Sequence, residues 1–196
     1  MDGRKIPYHF ENPFDIVFIE IAMTLNTYVF KPLGFVTPNI ITSLSLITGL
    51  ASLYCFYKQL PILFAVLFLI SYILDCADGN YARRYHMVTR FGDYYDHGSD
   101  MFKLVGLLVL VWISPGFSQS QKIFFYAVTG LLTCLANVHL GCQEKVYGLS
   151  DESGFLVLTS LLCPSGAAET WIPFTRYFGV GTLQVFIVVY IVYIIF

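Results

Sequence analysis

The chain is poor in charge. Of its 196 residues only 12% are Asp, Glu, Lys or Arg, against about 25% in an ordinary soluble domain. It has no excess of either sign: the net charge is −2, which leaves no basic footprint for nucleic acid. No Cys-x-x-Cys pair occurs among Cys55, Cys76, Cys134, Cys142 and Cys163. An odd, scattered set of this kind reads as small apolar packing residues, not as a metal knuckle or a disulfide framework. No short apolar core followed by a small-residue cleavage site stands near the start, so no cleaved signal peptide is expected, and the first true span would act as the signal. Repeats, low-complexity tracts and linker-like stretches are missing as well, which implies a single domain over 1–196.

Apolar residues fill the space that charge leaves. They make up 57% of the chain, aromatics 17%, and the mean hydropathy is +0.68. Apolar runs near 20 residues long predict an all-α, multi-pass membrane protein. Six transmembrane helices are expected, at about 40–57, 62–83, 92–113, 122–146, 154–168 and 178–196. Before them, residues 13–31 place Phe14, Val17, Phe18, Ile21, Leu25 and Val29 at helical spacing, interrupted by Asp15, Glu20 and Asn26. That pattern predicts an amphipathic helix lying on the membrane surface. The segment 169–177, with Trp171 and Pro173, reads as a loop, and Arg176 as a loop charge.

With the amino end in the cytoplasm, the cytoplasmic segments hold Arg4, Lys5, Lys31, Arg83, Arg84, Arg90 and Lys145, and the opposite side holds Lys58, Lys122 and Arg176. Seven against three is the expected bias for that orientation.

The stretch from Asp75 to Asp100 breaks the apolar pattern. It reads Asp75-x-x-Asp78-Gly79-x-x-Ala82-Arg83, then eight residues, then Gly92-x-x-x-Asp96-x-x-x-Asp100. Apolar segments 60–74 and 104–113 flank it. Acids beside such segments are costly unless they pair or hold cations, so they mark a functional site by default. At about 100° per residue, Asp75, Asp78 and Ala82 line one helix face, and Asp96 and Asp100 line another one turn after Gly92. A short loop makes the two helices antiparallel neighbours with facing carboxylates. Such an all-oxygen set suits Mg²⁺ or Mn²⁺, and two ions there can clamp a diphosphate. Gly79, Ala82 and Gly92 leave room for a ligand to approach the helices, and Arg83 can grip phosphate with two donors.

These residues resemble, in full, the signature of the CDP-alcohol phosphotransferase (CDP-alcohol phosphatidyltransferase) family. Eight fixed positions at ordinary residue frequencies coincide by chance on the order of 10⁻¹⁰ per starting point. Thr37-Pro38-Asn39-Ile40-Ile41-Thr42 is similar to that family's opening of its first span. The resemblance implies a CDP-linked donor, an alcohol acceptor and release of CMP, in a membrane protein that is commonly homodimeric. It implies that Asp75, Asp78, Asp96 and Asp100 hold two Mg²⁺ or Mn²⁺ ions, and that Asp100 also takes the alcohol's proton. Gly79, Ala82, Arg83, Gly92, Asn39 and Thr42 would then meet the CDP moiety.

Six spans in about 200 residues look like the branch that moves a phosphatidyl group from CDP-diacylglycerol to a small polar alcohol. The run Asp96-His97-Gly98 resembles the other branch, which moves phosphocholine or phosphoethanolamine to diacylglycerol. A divalent-cation transporter is the non-enzyme alternative, and it would need acids near the middle of several spans. The active site is expected on the cytoplasmic face, of either an endoplasmic-reticulum-type or a bacterial inner membrane.

Around the motif, Asp93 reads as a helix-start acid and His97 as an interfacial polar residue. Lys103, one turn after Asp100, can face the site or snorkel to the interface. His139, Gln143 and Glu144 are read as the polar end of the fourth span, or as a group that recognises the acceptor.

Overall fold

The computed structural model describes residues 3, 6–147, 159–164 and 168–196. Among these residues the fold is all-helical. Helix α1 covers Pro13–Leu25 and continues through a π-helical stretch, Asn26–Phe30, and a last turn, Lys31–Leu33. It stops at Gly34, whose φ of 72° is the left-handed conformation that glycine adopts without penalty. Helices α2 (Pro38–Tyr57) and α3 (Pro61–Arg84) follow. Then come α4 (Arg90–Ile113) and α5 (Gln119–Tyr147). The chain closes with α6 (Ala168–Thr175), a 3₁₀ turn at Arg176–Phe178, and α7 (Val180–Ile195).

The helix starts have local causes. Proline, which needs no hydrogen-bonded N–H there, opens α1, α2 and α3. Asn12 caps α1 by accepting from the amides of Phe14 and Asp15, Thr37 caps α2, and Thr89 caps α4 by accepting from the Gly92 amide.

Five helices are long and apolar enough to cross a membrane among the described residues: Pro13–Leu33, Pro38–Tyr57, Pro61–Arg84, Gln119–Tyr147 and the composite Ala168–Ile195. The chain is a multi-pass membrane protein. Helix α4, 24 residues long, is not among the five. The stretch 90–103 carries Asp93, Asp96, Asp100 and Lys103, and the apolar remainder, 104–113, is short. The first helix, expected to lie on the surface, does meet the criteria of length and composition. Large apolar side chains such as Ile47, Val109, Trp112, Leu131 and Val189 face outwards, as hydrocarbon allows and water does not.

Helices α2 and α3 share the most extensive contact. Small residues line it. The Ser45 hydroxyl donates to the Ser71 carbonyl (2.9 Å) and the Ser71 hydroxyl to that of Ser45 (2.8 Å), a close crossing of the kind that small side chains permit in membranes. One apolar core joins Phe56, Phe64, Leu107, Phe125 and Ile187, and a second joins Ala22, Ile41, Leu74, Ala77 and Tyr81 around the motif.

Two expectations need correction. Residues 169–175 are helical, not a loop: Pro173 sits inside α6, where Ile172 and Thr175 are buried. Tertiary packing here outweighs the usual effect of an internal proline. Cys142 and Cys163 are not merely packing residues; they form a disulfide across 21 positions. The end of α5 and the turn at 159–164 meet there because Gly141 has no side chain: a Cβ would lie 2.0 Å from the Thr159 carbonyl oxygen. The expected fifth span, 154–168, falls largely outside the described residues; of it, 159 and 160 are helical.

Polar contacts tie α1 to the far end of the chain. Buried Asp15 accepts from the Tyr72 hydroxyl at 2.6 Å, and a Cβ on Gly181 would lie 2.1 Å from the Asp15 Oδ1. Gly181→Ala should therefore force α7 away from α1 and lower stability by about 1–3 kcal/mol. Gly130, with open space around its Cβ position, is the control, and Gly130→Ala should be neutral or slightly stabilising. Thermal unfolding in detergent checks this; equal behaviour of the two variants would refute the close α1–α7 contact.

Candidate active site

The site forms where the end of α3 meets the start of α4, covered on one side by α2. One carboxylate oxygen from each of Asp75, Asp96 and Asp100 lies within 4.8 Å of the others. Asp78 stands outside this close triad. The three-residue step from Asp75 turns it towards α2, where it is buried and its Oδ2 accepts from the Thr42 hydroxyl at 2.5 Å. Expected acids thus come from both helices, three in one cluster and the fourth on its α2 flank.

The remaining motif residues border the acids. Gly79 faces the Arg83 guanidinium: a Cβ there would meet Nη1 at 3.2 Å. The Arg83 Nε donates to the Gly3 carbonyl at 3.0 Å, so the chain's beginning reaches this arginine. Ala82 is half-buried on the same helix. Gly92 packs against Asn39, whose Oδ1 would lie 3.2 Å from a Cβ. The start of α4 thereby meets the start of α2. Asn39, Thr42 and Gly92 therefore lie around one α2-facing edge of the acids.

Several neighbours of the motif are ambiguous in the sequence and are placed by the fold. Lys103 faces the acids: its Nζ is 2.8 Å from the Asp100 Oδ1, 3.2 Å from the Asp75 Oδ1 and 3.0 Å from the Ser45 Oγ. The pair Ser43 and Tyr95, hydroxyls 2.9 Å apart, is not expected from the sequence, and Phe91 stacks on the Tyr95 ring. Helical spacing from Gly92 to Tyr95 is the available signal, but an aromatic in an aromatic-rich chain carries little information. Asp93 lies in the first turn of α4, and its backbone carbonyl is 2.8 Å from the His97 Nδ1. His139 and Gln143 are buried in the α5–α6 contact, with the His139 Nδ1 2.9 Å from the Thr175 hydroxyl and its Nε2 2.7 Å from Gln143. That is a polar tie between two helices.

The donor set fits a hard divalent cation. It is all oxygen, it converges from two helices, and the Asp96 Oδ1 is buried without a hydrogen-bond partner. A buried carboxylate oxygen left bare is costly, and a cation would satisfy it.

The family model for CDP-alcohol phosphatidyltransferase matches residues 35–195. The chain belongs to that family. CDP-alcohol phosphatidyltransferases are membrane-bound transferases of phosphate-containing groups, generally dependent on a divalent metal. The resemblance carried by the Asp75–Asp100 signature therefore stands, and the match takes in every motif position from Asn39 to Asp100. No curated protein and no solved structure matches the chain.

Thr42→Val keeps the shape but removes the donor to Asp78. A buried carboxylate that loses a hydroxyl should cost about 1–3 kcal/mol of stability in excess chelator, whereas Thr42→Ser should retain most of it. Matching thermal midpoints for the two variants would show that this hydrogen bond is not needed.

Proposed function

We propose that this phosphatidyltransferase moves a phosphatidyl group from CDP-diacylglycerol to a small polar alcohol and releases CMP. The observation that carries the reading is the convergence of Asp75, Asp96 and Asp100, beside a face that bears Gly79 and Arg83. We read six spans in about 200 residues after a surface helix, an arrangement that resembles the CDP-diacylglycerol branch; among the described residues five helices are long and apolar enough to cross, and the expected fifth span lies largely outside them. In this arrangement α4 crosses the membrane with its acids at the interface and its apolar half, 104–113, in the hydrocarbon. Helix α1 lies at the surface, and its polar Asp15 and Asn26 are turned into the protein. The charge bias supports a cytoplasmic position for the acids, on the side where a nucleotide donor is found. The chain is read as one domain over 1–196 that acts as a homodimer.

Asp75, Asp78, Asp96 and Asp100 would hold two Mg²⁺ or Mn²⁺ ions. When bound, these supply charge neutralisation on the diphosphate and on the transferring phosphoryl group. The protein's own groups do the rest. Arg83 would bind phosphate of the donor, with Gly79, Ala82 and Gly92 leaving room for the cytidine and its phosphates. Asn39 and Thr42 would border the nucleotide on the α2 side. The acceptor hydroxyl attacks the phosphorus that carries diacylglycerol and forms a new P–O bond. The bond from that phosphorus to the bridging oxygen breaks, and CMP leaves with that oxygen. The hydroxyl proton passes to the Asp100 carboxylate, which is half-exposed at 49% and so open to an acceptor.

The second reading, transfer of phosphocholine or phosphoethanolamine to diacylglycerol, draws on Asp96-His97-Gly98. His97 is turned back on its own helix, its Nδ1 2.8 Å from the Asp93 carbonyl, and Asp96 stands in the acid cluster.

A donor and acceptor screen with purified protein tests the proposal. CDP-diacylglycerol with glycerol phosphate, inositol, inositol phosphate or serine should release CMP in the presence of Mg²⁺ or Mn²⁺ and none in excess chelator. Turnover of CDP-choline with diacylglycerol alone would replace the first reading with the second.

The base assignment has its own test. Asp100→Asn should lower turnover roughly 10²–10⁴-fold, and more if a metal is lost with it. Asp93→Asn, close in sequence but outside the triad, should lose little. Comparable losses in the two variants would remove Asp100 from the role.

A further inference from the structure

Lys103 has no part in the family signature, yet its ammonium stands inside the acid cluster. The three acceptors around it, Asp75 Oδ1, Asp100 Oδ1 and Ser45 Oγ, come from α3, α4 and α2. They match the three N–H donors of a lysine. The side chain is only 12% exposed, so it does not snorkel to water. Its path is prepared: the aliphatic stem crosses Gly49, where a Cβ would lie 2.6 Å from Cδ and 3.0 Å from Cγ. At Gly49 the missing side chain makes room for a lysine, not for an unusual backbone.

The contacts are uneven. Lysine covers the Asp75–Asp100 side of the triad, while the Asp96 Oδ1 has no hydrogen-bond partner. Carboxylates this close repel one another strongly where little water enters. One fixed positive charge lets Asp75 and Asp100 stay adjacent without a metal. The same oxygens are among those that a divalent ion would use.

We propose that Lys103 is a positioning residue, a built-in counter-ion that holds Asp75 and Asp100 together in the metal-free enzyme and competes with the divalent cation for their oxygens. It rests on the reading that the acids hold divalent ions. Metal loading displaces the ammonium from between the two carboxylates, and the lysine sets how tightly the site binds metal.

Mn²⁺ titration of the full chain in detergent, without donor, reads this directly by the spin-resonance signal of free Mn²⁺. Lys103→Gln keeps much of the length and removes the charge. It should bind Mn²⁺ about tenfold or more tightly than wild type, since a competing unit charge a few ångströms away is gone. Gly49→Ala, which crowds the stem, should shift the affinity the same way. In excess chelator Lys103→Gln should melt below wild type, and saturating Mn²⁺ should close most of that gap. Equal or weaker Mn²⁺ binding in Lys103→Gln would overturn the inference while leaving the metal site standing, as would a melting gap that metal does not change. Absence of Mn²⁺ binding by both proteins would overturn the metal reading and this inference with it.

Discussion

Carboxylates beside hydrocarbon need positive charge close by, and this constraint shapes the protein around Asp75–Asp100. In water, charges a few ångströms apart interact weakly; with little water present the same charges dominate their surroundings. Ionised together, Asp75, Asp96 and Asp100 would repel one another strongly in a cluster 4.8 Å across unless cations stood beside them. The fold answers with Lys103 between two of them and with a hydroxyl, Thr42, on the flanking Asp78. A divalent ion of the kind the CDP-alcohol phosphatidyltransferases generally need would add charge at Asp96, whose Oδ1 has no hydrogen-bond partner.

Such convergence requires helices that approach closely, which explains where the small residues fall. Ser45 and Ser71 exchange hydrogen bonds across α2 and α3, Gly49 admits the lysine stem, and Gly92 lets Asn39 approach α4. None of these positions rewards bulk. A larger side chain at any of them would push α2 away from α3 or α4, the two helices that carry the acids and that both pack on it. The tight seam and the acidic site are thus one requirement seen from two sides.

The signature is legible in the sequence because its chemistry is dense: four acids, two glycines, an alanine and an arginine at fixed spacing have few uses besides holding cations and phosphate. The membrane-crossing helices at 40–57, 62–83 and 122–146 are legible from hydropathy, and the structure extends each by one to three residues at an end. Lys103 is ambiguous because helical spacing gives a direction but not the gap at Gly49 through which the side chain passes. Helix α6 is hidden by Pro173, whose local penalty is offset by burial of Ile172 and Thr175. The Cys142–Cys163 pair is hidden because its contact depends on Gly141 and Thr159, not on any spacing of cysteines. Under the proposed orientation that end of α5 faces the cytoplasm, where such pairs are kept as thiols. The Lys145 ammonium, which donates to the Cys163 carbonyl at 2.6 Å, holds the same two segments together without the bond.

Helix α1 lies wholly outside the family match, which starts at residue 35, yet it braces the motif from behind. Its interior polar residues are buried and bonded across helices. Asn12 donates to the Arg176 carbonyl (2.6 Å) and the Thr182 hydroxyl (2.8 Å), and Asp15 accepts from Tyr72. Asn26 donates to the Ala77 carbonyl (2.8 Å) and the Asn80 side chain (3.0 Å). Ala77 and Asn80 flank Asp78 and Gly79, so this contact reaches the motif through the backbone of α3. The π-helical turn begins at Asn26. Such a turn adds a residue to the helical repeat and re-aims the side chains that follow it, so the hydrophobic spacing that reads as a regular amphipathic stripe does not continue unbroken. A purely apolar stripe would allow α1 to slide or rotate on α3. Directional bonds to one carbonyl and one amide fix its register, and with it the position of the helix that carries Asp75 and Asp78.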